Sequence, residues 1–541
     1  KGFFAAFNRW FARRMDKYTA FTPTLIRHVA RTGVFIAAVL AVIFLVWRKL
    51  PAGFLPEEDQ GYVMVMVSTP EASSLQVTQK AMIRADEVIR TLPEVASTSF
   101  AAGFNMMAGI ASTDSGIIFV SLVGYSDRKL TAMEIAQKLT DELYMAVPGA
   151  ECFAFIPPSI PGLGITSGVS VEVQDLEGRG TAYLLEQSER LMDSLRKLPS
   201  VASVTTQFNA GVPQRRLRID KEQALASGVD LGVLYGDLTT LLGGAYVNNF
   251  SRFGKLYQTY IQAAPAYRMD KRSLDSYYVA SSSGESVPVS SLVEVVDTVG
   301  VEYVSQFNLY RSIGLTVTPA ARTSTTTVMQ DITRTAAQVL PDDVGTAWSG
   351  TSFQEANASK TGGLVYLLAL VFVFLALAAL YESWGLPLAI LMSVPVAVLG
   401  AVLFIGVSHL LNAFYVNDIY MQISLVMLIG LAAKNAILVV EYADRLFNEQ
   451  GASLMDAAIG AAKLRVRPII MTAFAFILGV MPLIFASGVY ATARNIMGVA
   501  LVGGMLFATL LGIFVYPALY YFVGRIGNFE RRRERKKQEQ S

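Results

Sequence analysis

The hydrophobic pattern of the chain changes character twice. Gly33–Trp47 is an unbroken apolar run flanked by Arg31, Arg48 and Lys49. At about 15 residues it is short, and its flanks extend it to a span. Residues 52–361 contain no second run of that kind. Five more apolar runs follow Gly363: Leu364–Leu380, Leu386–Val407, Ile419–Val440, Ile469–Ala486 and Ile496–Val523. Each is long enough to cross roughly 30 Å of hydrocarbon. The last is overlong, and either kinks near Gly503 and Gly504 or extends past the hydrocarbon core. The plan is one span, a large polar block, then five spans.

Inside the polar block the period alternates between two and about 3.6. Tyr62–Val67 reads as a strand, Ser74–Leu92 as a helix, Ile117–Val123 as a strand, Thr131–Val147 as a helix and Cys152–Ile156 as a strand. The rhythm returns with Val169–Gln174, Tyr183–Leu198 and Val201–Phe208. A later trio, Gly314–Thr318, Thr325–Leu340 and Gly345–Ser349, continues it. Strand–helix–strand units of this length point to ferredoxin-like βαβ modules. Residues 221–301 break the rhythm as an inserted subdomain. The expected fold class is therefore membrane α+β.

Composition agrees: mean hydropathy is +0.42 and only 16% of residues are charged, against about 25% in an ordinary soluble domain. A net charge of +2 leaves no nucleic-acid footprint. The single cysteine, Cys152, rules out an internal disulfide, and two histidines, His28 and His409, argue against a zinc enzyme. Basic residues instead gather in the N-terminal arm, in the 443–468 connection (Arg445, Lys463, Arg465, Arg467) and in the tail Arg531–Lys537. Placing all three in the cytoplasm is consistent with six spans and puts the polar block on the opposite, periplasmic face. In the arm, Phe3, Phe4, Phe7, Trp10 and Phe11 form an aromatic face among Arg9, Arg13, Arg14 and Lys17, suited to a membrane surface. The start at Lys1, with no signal peptide, reads as a cut.

Lys434 stands near the middle of an apolar run with no acid of its own. A lysine there costs roughly 2.5–3.5 kcal/mol on insertion scales and ordinarily pairs inside a bundle. Asn435 adds a second polar group, while Gly430, Ala432 and Ala433 admit a close neighbour. Glu382, Asp418 and Glu441 lie at the ends of the runs, so the expected carboxylate is on a segment outside this chain. Thr472 is a second intramembrane candidate, with a hydroxyl able to bond a carbonyl four residues back. Arg465 stands at the cytoplasmic entrance of the same run.

At these residues a family resemblance becomes specific. Gly430-Leu-Ala-Ala-Lys434-Asn435-Ala-Ile-Leu-Val-Val-Glu441, Arg465-Val-Arg-Pro-Ile-Ile-Met-Thr472 and Phe476-Ile-Leu-Gly-Val-Met-Pro482-Leu resemble the tenth and eleventh spans of resistance-nodulation-division (RND) multidrug efflux pumps. Leu380-Tyr-Glu-Ser-Trp384 resembles the end of their eighth span, and Phe54-Leu-Pro-Glu-Glu-Asp-Gln-Gly61 the start of their second periplasmic segment. The resemblance covers nearly the whole chain and corresponds to the C-terminal half of such a pump. It implies a proton relay of Lys434, Asn435, Thr472 and Arg465, with paired aspartates supplied by an N-terminal half. It implies a drug path lined by Met64, Met66, Phe100, Phe104, Met106 and Phe119 around the loop Gly103–Ser115. An outer pocket of Phe153, Phe155, Pro157 and Leu163 completes that path. Methionine and aromatic walls suit varied amphiphilic small molecules. Met106 stands where well-studied members carry phenylalanine. Small residues replace a loop arginine and, near Gly162, a glutamate, and Thr205 lies close to a common arginine position. These departures bias the walls towards less charge.

By this resemblance residues 1–32 form a cytoplasmic-face helix, 33–51 a span, 52–165 one porter subdomain, and 166–220 with 302–355 a second. Residues 221–301 form a docking subdomain, with Tyr246-Val-Asn-Asn-Phe250 and Arg252-Phe-Gly254 as its hairpin, 362–524 five spans and 525–541 a basic tail. The expected function is proton-driven multidrug export across the bacterial inner membrane, without cofactor or enzymatic activity. It would work as a homotrimer with a periplasmic adaptor and an outer-membrane channel. Two alternatives stay open. One is a copper or silver exporter of the same superfamily using Met64, Met66, Met106 and Met107. The other is a membrane-anchored assembly module that transports nothing.

Overall fold

The computed structural model describes residues 3–26, 29–160, 162–164, 167–320, 323–412 and 414–527. The basic tail Arg531–Lys537 and His28 lie outside the described residues, as do the side chains of the aromatic arm from Phe3 to Phe11. Helices α1 (Phe3–Ile26) and α2 (Val29–Lys49) come first. The first sheet region contains β1 (Tyr62–Ser68), α3 (Leu75–Ile89), β2 (Val95–Asn105), β3 (Ile110–Leu122), α4 (Ala132–Ala146) and β4 (Glu151–Phe155). Its antiparallel order is β2-β3-β1-β4. The second contains β5 (Val169–Asp175), α5 (Thr181–Leu195) and β6 (Val201–Thr206).

The chain then passes through β7 (Val212–Ile219), α6 (Lys221–Ala226), α7 (Leu231–Leu238), β8 (Ala245–Arg252) and β9 (Lys255–Ile261). The strands β10 (Tyr278–Ala280), β11 (Ser286–Pro288) and β12 (Val293–Gly300) follow. The second region resumes with β13 (Ser305–Phe307), β14 (Tyr310–Pro319), α8 (Thr325–Val339) and β15 (Val344–Trp348). There β14 lies between β6 and β5, and β5 pairs with β15. Both regions thus repeat one path: second strand, third, first, fourth.

Local sequence explains these elements. The capping box of Thr131 and Glu134 starts α4, and its buried residues Ile135, Ala136, Leu139 and Leu143 recur at helical spacing. They pack with Val63, Val65, Val67, Ile118, Val120 and the α3 residues Met82, Ala85 and Ile89. The expected loop Gly103–Ser115 is instead a hairpin, because β2 and β3 run into it. A bulge between Ala102 and Phe104 places Gly103 at φ +90°, and Asn105 Oδ1 accepts from the backbone N–H of Met107 and Ala108 to close the turn. Small residues there read as a loop because no period survives a bulge.

A separate compact unit comprises Phe208–Val304 with Pro70–Ser73. Its boundary falls ahead of residue 221 because β7 pairs along its length with β12. Ala224, Val229, Leu234, Leu238, Val279, Val289 and Leu292 form its core. The β8–β9 hairpin turns at Phe253 and Gly254, both at positive φ.

Among the described residues, six helical stretches are long and apolar enough to cross a membrane: Arg31–Lys49, Gly363–Tyr381, Gly385–Leu411, Ile419–Asn448, Leu454–Ile484 and Ala491–Leu510. They belong to α2, α9 (Gly350–Tyr381), α10 (Gly385–Leu391) with α11 (Val394–Leu411), α12 (Ile419–Asn448), α13 (Leu454–Ile484) and α14 (Ala491–Leu510). The final helix is α15 (Gly512–Ile526). The 443–468 connection is mostly helix: α12 runs to Asn448, and Ser453 caps α13 by accepting from the Asp456 N–H. Glu441 therefore lies within α12, not at its end.

Helix α14 runs through Gly503 and Gly504 without interruption, and the break between helices falls at Leu511. Those glycines serve close packing instead. A Cβ on Gly400 of α11 would stand 2.3 Å from the Gly503 carbonyl oxygen, and one on Gly504 2.3 Å from Leu428. Within α15, Pro517 has no N–H for the Ile513 carbonyl, and the Tyr18 hydroxyl of α1 donates to that oxygen at 2.9 Å.

Candidate functional site

Asp418 caps α12, its Oδ1 accepting from the Met421 N–H at 2.8 Å. One face of the helix is buried through Met421, Leu425, Leu428, Ala432, Ala436 and Val439. The other carries Ile423, Met427, Gly430, Lys434 and Glu441 at helical spacing, all exposed in this chain. Lys434 makes no ion pair with any described residue. Asn435 is 1% exposed on the buried side, and its Nδ2 makes no direct hydrogen bond although the Tyr516 hydroxyl is a neighbour. Adjacent polar residues thus face opposite ways.

On α13, the Arg465 guanidinium lies 4.7 Å from the centre of the Tyr442 ring of α12, a cation–π contact. The Thr472 hydroxyl donates to the Ile469 carbonyl at 3.1 Å, three residues back and not the expected four. Arg465 and Thr472 are two turns apart, about 10 Å along the helix. The structure brings the four relay candidates onto two packed neighbouring helices, α12 and α13. Tyr442 and Tyr516 went unremarked in the sequence, since a tyrosine in an apolar helix carries no signal of its partner.

The sheet β2-β3-β1-β4 has two faces. Val63, Val65 and Val67 face α3 and α4, so Met64 and Met66 must face away. Met64 stands opposite Phe119 on β3 and Phe155 on β4, and Met66 opposite Ile117 and Phe153. Directly opposed residues share a face. Met64, Met66, Ile117 and Phe155 are buried together, with Met106 and Met107 of the hairpin turn packed against them. Phe119 and Phe153 are 37% and 48% exposed, so the rings form the open part of this surface. Phe153 stacks on Phe155 with centroids 5.8 Å apart.

The remaining drug-path candidates divide. Phe104, beyond the register shift, pairs with Ala111 and is 41% exposed. Phe100 pairs with Ile118, whose side chain packs with the helices, so the register sets it on the face opposite the methionines. Pro157 is buried beyond the end of β4, and Leu163 is half-buried further along. Cys152 is buried, which pushes its thiol up to about 11.

Comparison with known proteins bears on this arrangement directly. The model of the AcrB/AcrD/AcrF family matches residues 1–524. The toluene efflux pump membrane transporter TtgB of Pseudomonas putida is 36% identical over 531 residues, 97% of this chain and 49% of that protein. The multidrug resistance protein MdtF of Escherichia coli (strain K12) is 34% identical over 96% of this chain and 50% of its own length. The multidrug export protein AcrF of the same strain is 32% identical, with coverage of 97% and 50%. The chain spans about half the length of the curated relatives it matches. Its relatives are efflux transporters and not enzymes. With six helices among the described residues able to cross a membrane, mixed sheet and helix, and a family match over nearly its whole length, this chain belongs to the AcrB/AcrD/AcrF family of RND efflux transporters.

Proposed function

We propose that the chain is the C-terminal half of a proton-driven exporter of amphiphilic small molecules in the bacterial inner membrane. The observation that carries this reading is Lys434: a cation on an apolar helix, with no acid paired to it among the described residues. Its charge calls for a carboxylate from elsewhere, here the paired aspartates of an N-terminal half. While those acids are ionised they hold the ammonium; once protonated they release it, and the bound proton favours a second helix arrangement. Thr472 and Arg465 act as further relay positions. Asn435, buried one residue away, steadies the helix behind the lysine.

The methionine and phenylalanine face is the reading's substrate surface. Met64, Met66, Met106, Phe104, Phe119, Phe153 and Phe155 supply polarisable and aromatic contacts that tolerate varied shapes. Phe100, Pro157 and Leu163 belong to its margins. The repeated strand order supports reading 52–165, and 166–220 with 302–355, as ferredoxin-like porter modules. The compact unit around 221–301 is then the docking subdomain. The sheets stand in the periplasm and the connection between α12 and α13 in the cytoplasm. The whole protein works as a homotrimer with an adaptor and an outer-membrane channel. A metal cargo gains no support, since the four methionines pack with Ile117 and Phe155 as apolar core.

The test uses the full pump, N-terminal half included, in proteoliposomes under an imposed proton gradient. Lys434→Ala lowers drug export and drug-linked proton influx at least about ten-fold while the assembly elutes unchanged on gel filtration. Export at the wild-type rate by a folded Lys434→Ala pump refutes the reading.

A further inference from the structure

The linker from α2 to β1 contains three consecutive acids, and each reaches a different element. Glu57 is half-buried, with its carboxyl beside Ser167, just ahead of β5. Glu58 is 2% exposed and accepts from the backbone N–H groups of Ala493 at 2.7 Å and Thr492 at 3.2 Å, in the first turn of α14. Asp59 pairs with Arg128 at 2.7 Å and accepts from the Ala132 N–H at 2.8 Å, where α4 begins. Earlier in the linker, backbone bonds tie it to the approach of α12. The Asn417 N–H donates to the Pro51 carbonyl at 2.9 Å, and the Ile419 N–H to the Phe54 carbonyl at 3.1 Å.

Glu58 is unusual among helix caps. A cap normally comes from the residue before the helix, but Tyr490 holds that position in α14 and makes no side-chain cap. The acceptor arrives instead from more than four hundred positions earlier in the chain. Any movement of the α14 entrance away from the linker leaves a buried carboxylate and two helix N–H groups unsatisfied. The linker is thereby pinned to α12 by its backbone and to α14 by Glu58, and it continues into the strand carrying Met64 and Met66.

We infer that residues 51–59 form the joint by which α12 and α14 drive β1, with Glu58 as its pin. Glu58 is a positioning residue that touches neither the substrate face nor the Lys434 ammonium. This rests on the proton-coupled transport proposed above: a displacement begun at Lys434 on α12 reaches Met64 and Met66 only if the linker does not absorb it.

The full pump in proteoliposomes tests this. Glu58→Ala is expected to lower maximal drug transport about ten-fold with KM within about two-fold, while proton influx under an imposed gradient persists. Lys434→Ala loses both fluxes, so the two defects are distinguishable. Drug transport by Glu58→Ala within about two-fold of wild type, or parallel loss of drug and proton fluxes in a folded pump, overturns the joint. Transport by Lys434→Ala would sink proton coupling, and the Glu58→Ala transport rate would still decide the joint. A second variant guards against misfolding. The pair Glu58→Cys with Thr492→Cys, oxidised to a disulfide, is expected to regain transport that its reduced form lacks. A folded, cross-linked pump that does not transport overturns the proposal.

Discussion

Replacing Gly400 by alanine tests a close helix crossing in the membrane part. The added Cβ would lie 2.3 Å from the Gly503 carbonyl oxygen and 2.6 Å from Phe507 Cβ. Ordinary contact is about 3.4 Å or more, so α11 and α14 must separate by roughly 1 Å. The obstructing oxygen is backbone and has no rotamer to escape into. Overpacking of this kind costs about 1–3 kcal/mol, with the backbone clash placing Gly400→Ala at the upper end. Removing a helix glycine returns up to about 1 kcal/mol. The net expectation is a loss of about 2 kcal/mol. Gly479→Ala on α13 is the control, since nothing lies within 4 Å of its added Cβ. It is expected to be neutral or slightly stabilising. Thermal melting of both variants in detergent, followed by fluorescence-detected gel filtration, separates these outcomes. A Gly400→Ala protein melting at or above the Gly479→Ala control refutes the close-packing account.

Other expectations follow from the acids and the thiol. Arg128 is buried, bonds Asp59 and the Leu130 carbonyl, and lies 4.7 Å from the Tyr125 ring centre. Arg128→Ala is expected to cost about 2–3 kcal/mol in chemical denaturation, below the figure for a fully buried pair because Asp59 is partly exposed. Burial pushes the Asp59 carboxyl up, but hydrogen bonds from Arg128, Ala132 and Gly61 with the Arg128 charge hold it below the usual range. Its stabilisation is present above about pH 4 and fades as acid protonates it, a dependence Arg128→Ala should weaken. Burial lifts Asp418 to about 7 against the opposing backbone hydrogen bonds, and Glu58 adds to the lift. That stabilisation is full below about pH 4 and lost as pH rises through about 7, a total on the order of 4 kcal/mol. Asp418→Asn keeps a cap acceptor and should flatten the melting temperature between those limits; an unchanged slope contradicts the assignment. Cys152 should resist maleimide at pH 8 in the native protein and react once unfolded. Rapid native labelling would show it accessible.

Much of the architecture is legible along the chain because it rests on local periodicity and on lipid-length apolar runs. The six spans, the strand–helix rhythm of 52–220 and 302–355, and the oddity of Lys434 within its run all follow from spacing and hydropathy. Tertiary structure decided what spacing cannot express. Gly503 and Gly504 read as a hinge, yet they allow α14 to approach Gly400, because a missing side chain serves bending and close packing equally well. Phe100 and Phe104 read as one aromatic group, but the ladder shifts register between Ala102 and Phe104, so simple alternation does not relate their positions. The acids Glu57, Glu58 and Asp59 were visible as a motif, but their partners lie at Ser167, Ala493 and Arg128. Hydropathy and period are properties of neighbours along the chain, whereas a cap, an ion pair or a helix crossing is set by groups that only folding brings together.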